Sequence, residues 1–232
     1  MLLSTIAFDA DDTLWENEHI FVLTQERFVD FLKDYAPAEN LYESLLATEW
    51  KNLQYYGYGI KGFTLSMIET AIEVTRGEIP ARVVQEILNA GREMKDHPAT
   101  VLPNVKEVLA KLKDHYRIVM ITKGDLFDQE RKLAQSGLGD FFDAIEIVSD
   151  KNEQTYHRIF DQFGDGPAQS MMIGNSLKSD IIPAIEAGAW GIYIPSSFDW
   201  AVERADAPSQ NERFRQIKEI SELPELIETL LP

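Results

Sequence analysis

The sequence predicts an α/β fold, a doubly wound parallel sheet with a small helical bundle inserted after its first strand. Short apolar runs recur, each ending in a polar turn and leading into a helical pattern: "STIAFDADDT", "YRIVMITKGD", "AIEIVSDKNE", "SMMIGNSLKSD" and "WGIYIPSS". Continuous apolar runs of this length suit strands buried on both faces, and their alternation with helices calls for right-handed crossovers in one sheet. Residues 17–98 have a different texture, with apolar positions at helical spacing and no strand-like run between them.

The helices between the later strands are "NVKEVLAKLKDH", "FDQERKLAQSG", "TYHRIFDQFG" and "IIPAIEAGA", and "ISELPELIETLL" closes the chain after a sixth strand near Ile217. In the insertion, Phe21, Phe28, Phe31, Leu32 and Tyr35 share one helix face, and Leu41, Leu45 and Leu46 begin a second. Leu65, Ile68 and Ile72 lie on a third helix, and Val83, Val84, Ile87 and Leu88 on a fourth. Two domains result: residues 1–16 with 99–232, and the helical 17–98. "GYGIKG" at 57–62 matches a dinucleotide-binding pattern but follows helix-like sequence instead of a strand, so an inter-helix loop is expected there. Ser196 to Asn211 reads as an irregular surface loop without an assigned role.

Composition narrows the function. Among 232 residues, 39 acidic against 22 basic side chains give a formal net charge of −17, without a basic cluster. Nucleic acid is therefore not an expected partner, because binding it depends on neutralising phosphates. An anionic substrate would approach against the overall field, so local cations or a bound metal must receive it. The absence of cysteine excludes disulfides and thiolate metal sites, and the four histidines have no paired metal-ligand spacing. With no bilayer-length apolar run and no basic-flanked signal segment, the expectation is a cytoplasmic protein without a membrane partner.

"IAFDADDTLW" then poses an electrostatic question, since Asp9, Asp11 and Asp12 stand within four positions. On a strand, residues two apart point the same way, so Asp9 and Asp11 are expected to converge at the strand's end while Asp12 faces away. Ligands bind at the carboxyl ends of strands in such sheets, and a hard divalent cation such as Mg²⁺ would relieve the repulsion of two carboxylates there. The plain alternative is a solvated acidic turn with helix-capping aspartates. A calcium EF-hand loop fits poorly, because Leu14 and Ile20 fall where glycine and glutamate are needed.

"FDADDTL" resembles the first motif of the haloacid dehalogenase superfamily, an apolar strand ending in Asp-x-Asp-x-Thr or Val. Further motifs follow in order: Thr122, Lys123 and Gly124 after "YRIVMI", Lys151 in "VSDKNEQTY", and "MMIGNSLKSDIIPAIEAGA", where Gly174, Ser176, Asp180, Ala187 and Gly188 match. Asn175 stands where the family usually has Asp; it keeps a carbonyl oxygen for a metal but gives up one negative charge, which implies weaker metal affinity. The resemblance covers almost the whole chain. It implies a Rossmann-like core with a helical cap at residues 17–98.

It also implies a Mg²⁺-dependent hydrolase of a small phosphorylated metabolite. Asp9 would be the nucleophile, and Asp11 the acid and base. Thr122 and Lys151 would hold the phosphoryl oxygens, with Lys123, Gly124 and the cap residue Lys61 as substrate contacts. Asp9, the Asp11 carbonyl, Asn175 and Asp180 would form the metal shell. A sugar-phosphate mutase and a non-catalytic phosphate-binding module are alternatives, and Asp11 argues against a dehalogenase, which typically lacks that second Asp.

Overall fold

The structure, a computed structural model, describes residues 3–197 and 200–230. Six strands, β1 (Thr5–Phe8), β2 (Arg117–Lys123), β3 (Ala144–Val148), β4 (Ser170–Gly174), β5 (Trp190–Tyr193) and β6 (Phe214–Gln216), form one sheet in the order β3-β2-β1-β4-β5-β6. All five pairings are parallel; Phe8 stands opposite Met120 on β2 and Ile173 on β4. Along the chain the helices are α1 (Glu18–Leu32), α2 (Ala38–Tyr56), α3 (Ile60–Val74) and α4 (Ala81–Asp96), followed by α5 (Val105–Lys113) and α6 (Leu126–Ser136). The remaining helices are α7 (Glu153–Phe163), α8 (Ile182–Glu186) and α9 (Leu223–Leu230).

The chain divides into two compact units. The first contains the sheet, the helices from α5 onward and α6 from Gln129; the second contains residues 18–98 together with 124–128.

In the first unit the alternation of β1 side chains builds two cores. Ile6 and Phe8 join Ile118, Met120, Met171 and Ile173 under Val105, Val108 and Leu109 of α5 and Leu223 and Ile227 near the end of the chain. Ala7 faces the opposite way, with Val119, Ile121 and Met172 against Tyr156, Ile159 and Phe160 of α7 and Ala184 of α8. Burial on both faces is why these strands read as unbroken apolar runs. The strand order reverses direction around β1, so residues leaving β1, β2 and β4 meet at the switch point where doubly wound sheets bind ligands.

The second unit packs Phe28, Leu32, Leu41, Leu45, Ile60, Phe63, Met67, Val83, Ile87 and Met94 into its own core. Helix α3 is rotated from the expected face. Phe63, Met67 and Ala71 point inward, while Leu65 and Ile72 are exposed, as is Tyr35 beyond α1. The reason is α4: Gly91 brings it so close to α3 that a Cβ there would lie 2.4 Å from the Thr64 hydroxyl, which selects the 63/67/71 stripe as the buried one. Only Gly57 to Gly59 of the "GYGIKG" segment form the turn between α2 and α3, with Gly57 and Gly59 at positive φ (66° and 106°), while Ile60, Lys61 and Gly62 already belong to the first turn of α3. The segment follows a helix, as the sequence predicted, and has no strand to present a pyrophosphate.

Replacing Ile6, fully buried in the central strand, with alanine is expected to destabilise the protein by about 2–5 kcal/mol, read from urea unfolding midpoints. A loss under about 1 kcal/mol would contradict this placement of the core.

Candidate active site

β1 ends at Phe8, and the chain turns at once: the amides of Leu14 and Trp15 both donate to the Ala10 carbonyl, at 2.8 and 3.3 Å. The two-residue strand period therefore no longer governs Asp9 and Asp11, and their carboxylates do not converge on shared partners as expected. Asp9 Oδ1 accepts from Lys151 Nζ at 2.5 Å and its Oδ2 from the Thr13 hydroxyl at 3.2 Å. Asp11 turns to a separate set: Trp15 Nε1 at 2.7 Å and Lys132 Nζ at 3.0 Å on Oδ1, with Gln129 Nε2 at 2.9 Å on Oδ2. Asp12, at positive φ, accepts from the Asn17 amide at 3.0 Å and so closes the turn.

The carboxylate that shares Asp9's partner is Asp180. Lys151, two residues before α7, donates to Asp180 Oδ1 at 2.7 Å as well as to Asp9. Asp180 is brought back to the end of β4 by a wide turn at Leu177–Ile181, in which the Ile181 amide reaches five residues back to the Ser176 carbonyl. Such turns concentrate at functional sites. The helix expected over "IIPAIEAGA" is thus cut to Ile182–Glu186. Gly174 makes the close approach feasible, because a Cβ there would stand 2.2 Å from Asp180 Oδ2. That oxygen accepts from the Ser176 amide at 2.9 Å, so both oxygens of Asp180 are engaged.

Lys151 is 4% exposed, Asp9 7% and Asp180 1%, so two carboxylates share one ammonium in a buried place. One negative charge is left over. Burial raises the Asp9 carboxyl from its ordinary 3.8 to about 7; Lys151 pulls it down, whereas Asp180 and, least, Asp11 push it up. Burial also opposes the Lys151 charge, but Asp180 and Asp9 hold that ammonium above the ordinary lysine range.

The oxygen chemistry around Asp9 fits a hard cation. The Asn175 amide, at the end of β4, lies 3.3 Å from Asp9 Oδ2 and 3.2 Å from the Asp11 carbonyl oxygen when its nitrogen faces them and donates to both. Turned over, the same amide completes a carboxylate, carbonyl and amide-oxygen set of the kind Mg²⁺ takes. Among the described residues no group of three or more His, Asp or Glu gathers in this way, so the fit rests on mixed oxygen types.

Thr122, next to last in β2, is fully buried, and its hydroxyl accepts from Gln129 Nε2 at 2.9 Å. Lys123 points to other partners, Ser179 Oγ at 2.6 Å and Glu203 Oε1 at 2.8 Å. Glu203 lies on the Ala201–Glu203 turn of the segment that the sequence left unassigned, and its other oxygen accepts from the Ser176 hydroxyl at 2.6 Å and from Ser179. Burial works to raise the Glu203 carboxyl, but Lys123 and the serine hydroxyls hold it below its ordinary value. Lys61 and Gly124 belong to the second unit, where Lys61 Nζ pairs with Asp125 Oδ2 at 2.7 Å.

Residues 3–188 match the haloacid dehalogenase-like hydrolase family. The chain belongs to that family. A haloacid dehalogenase-like family hydrolase from Xanthomonas campestris is 42% identical, covers 98% of this chain and 91% of its own, and superimposes with a TM-score of 0.87. The glyceraldehyde 3-phosphate phosphatase of Methanothermobacter thermautotrophicus is 26% identical across 97% of this chain and all of its own length. A pyrimidine 5'-nucleotidase of Escherichia coli is 28% identical over 79% of this chain and 82% of its own. In this haloacid dehalogenase-like hydrolase, Gln129, Lys132 and Glu203 escaped the sequence reading. The spacing of Gln129 and Lys132 on one face of a helix that follows a strand-end threonine was the available signal; Glu203 had none.

The leftover charge has a pH signature. Unfolded protein ionises Asp9 near 3.8 and folded protein only near 7, so the folded state binds more protons between those values, and metal-free stability falls as pH rises through that window. In chelator, the unfolding midpoint of Asp9→Asn is expected to gain on that of the unaltered protein from pH 4 to 7 and to run parallel above. A constant difference across the window would contradict the assignment.

Proposed function

We propose that this chain is a Mg²⁺-dependent phosphomonoester hydrolase working through an aspartyl-phosphate intermediate. The observation that carries the reading is the buried Asp9 carboxylate, which shares Lys151 with Asp180 at the switch point of the sheet. Two relatives whose names denote hydrolysis of a triose phosphate and of a nucleotide support the phosphomonoester class, and they share no leaving group beyond it.

Asp9 attacks phosphorus, forming its acyl-phosphate bond as the ester P–O bond breaks. Asp11 gives its proton to the departing alcohol oxygen; it then takes a proton from the water that attacks the acyl-phosphate, releasing inorganic phosphate and restoring Asp9. Lys151 orients Asp9 and offsets charge on the transferring group, while the Thr122 hydroxyl and the amides after it bind phosphoryl oxygens. Lys123 and Lys61, with Gly124, are the candidate substrate contacts, and the helical residues 17–98 the candidate cap. Asp9, the Asp11 carbonyl and Asn175 would hold Mg²⁺, with Asp180 serving chiefly to anchor Lys151. The ion supplies charge neutralisation between an anionic nucleophile and an anionic phosphate. Asp11 separates this chemistry from halide displacement, whose leaving group needs no proton.

Purified protein is expected to release phosphate from members of a panel containing triose phosphates and pyrimidine nucleotides with Mg²⁺, and to stop in EDTA. Asp9→Asn should lose at least roughly 10³-fold in kcat while staying folded. Turnover that persists in Asp9→Asn, or tight binding without any turnover, would overturn the reading.

A further inference from the structure

We propose that Lys132, together with Gln129, is a positioning residue for the Asp11 carboxylate and thereby sets how well the leaving oxygen is protonated. The inference rests on the assignment of Asp11 as acid and base given above. Lys132 and Gln129 stand three residues apart on one face of α6, and between them they engage both oxygens of Asp11, at 3.0 and 2.9 Å. Trp15 Nε1 fixes Oδ1 from the other side at 2.7 Å. Three donor atoms thus define where this carboxylate points.

The cost of the arrangement argues that it is there for more than folding. Lys132 is 8% exposed and Gln129 1%, and Gln129 Oε1 has no hydrogen-bond partner among the described residues. A buried acceptor without a partner costs about 1–3 kcal/mol, so holding the Gln129 amide in this orientation works against folding.

The connections of the two side chains fit a positioning role. Gln129 Nε2 also reaches the Thr122 hydroxyl at 2.9 Å and the Lys123 carbonyl at 2.7 Å, so one amide ties the acid to the strand end assigned to the phosphoryl oxygens. Lys132 Nζ donates to Asn17 Oδ1 at 2.7 Å, which braces the far end of the turn that carries Asp11. The acid and the phosphate-binding threonine are therefore held in one frame, and angular placement of an acid is what a proton transfer in the transition state depends on.

Leaving-group dependence tests this directly. A phosphate ester of an ordinary alcohol needs its oxygen protonated as the bond breaks, whereas 2,4-dinitrophenolate departs without a proton. Because kcat/KM reports steps up to loss of the leaving group, Lys132→Met is expected to lower it roughly 10- to 100-fold for an alkyl phosphate but no more than about threefold for 2,4-dinitrophenyl phosphate. Lys132→Arg should restore most of the alkyl-ester rate, and Asp11→Asn should show the same selectivity more strongly. Gln129→Met takes the place of Lys132→Met, with the same expected outcomes, should the latter fail to fold. An equal loss on both esters in the Lys132 or Gln129 variants, alongside a selective loss in Asp11→Asn, overturns the positioning role and leaves the phosphatase reading intact. No selective loss in Asp11→Asn, or no turnover of either ester by the unaltered protein, removes the reading and the inference together.

Discussion

One ammonium shared by two buried carboxylates is the constraint on which the site depends. Lys151 lies between Asp9 and Asp180, so the cluster carries an excess negative charge in a place where water cannot screen it. Burial raises the Asp9 carboxyl, with Asp180 adding to it against the pull of Lys151, and the Asp11 carbonyl and the Asn175 amide beside it are oxygen groups of the kind a divalent ion takes. Asn175 in place of a third carboxylate leaves less negative charge to be balanced. In its donating orientation the same side chain holds Asp9 Oδ2 and the Asp11 carbonyl together without an ion.

The scaffold delivers these groups from distant parts of the chain with little freedom. The parallel register aligns the ends of β1, β2 and β4, which brings Asp9, Thr122 and Asn175 to one edge of the sheet. Two local devices then finish the geometry. The tight turn after Phe8 separates the Asp11 carboxylate from that of Asp9, and the wide turn at Leu177–Ile181 folds Asp180 back against Gly174. Glu203, from an irregular segment far along the chain, braces that second turn through Ser176 and Ser179 and also holds Lys123.

What the sequence disclosed follows from what periodicity can encode. Runs such as Arg117–Lys123 and Ser170–Gly174 announce strands buried on both faces, and their order with the intervening helices announces the doubly wound sheet. The four motifs likewise disclose the family. Side-chain direction beyond a strand's last residue has no period: the rule that places Asp9 and Asp11 on one side lapses at Ala10, where helical hydrogen bonds begin. Amphipathic spacing does not fix helix rotation to within a residue when a glycine such as Gly91 permits unusually close packing, so Leu65 and Ile72 were assigned to the wrong face. Among the long-range polar partners, Gln129 and Lys132 on Asp11 leave only the trace of their three-residue spacing on α6, and Glu203 on Lys123 leaves no local signal.

Under the proposed chemistry Asp9 itself carries the phosphoryl group during turnover. Acid quenching a reaction with a radiolabelled phosphate ester, followed by peptide mapping, tests it most directly. The account predicts label on the peptide containing Asp9, labile to hydroxylamine as an acyl phosphate is. Turnover at full rate with label on a different residue, or with a hydroxylamine-stable linkage, would contradict it.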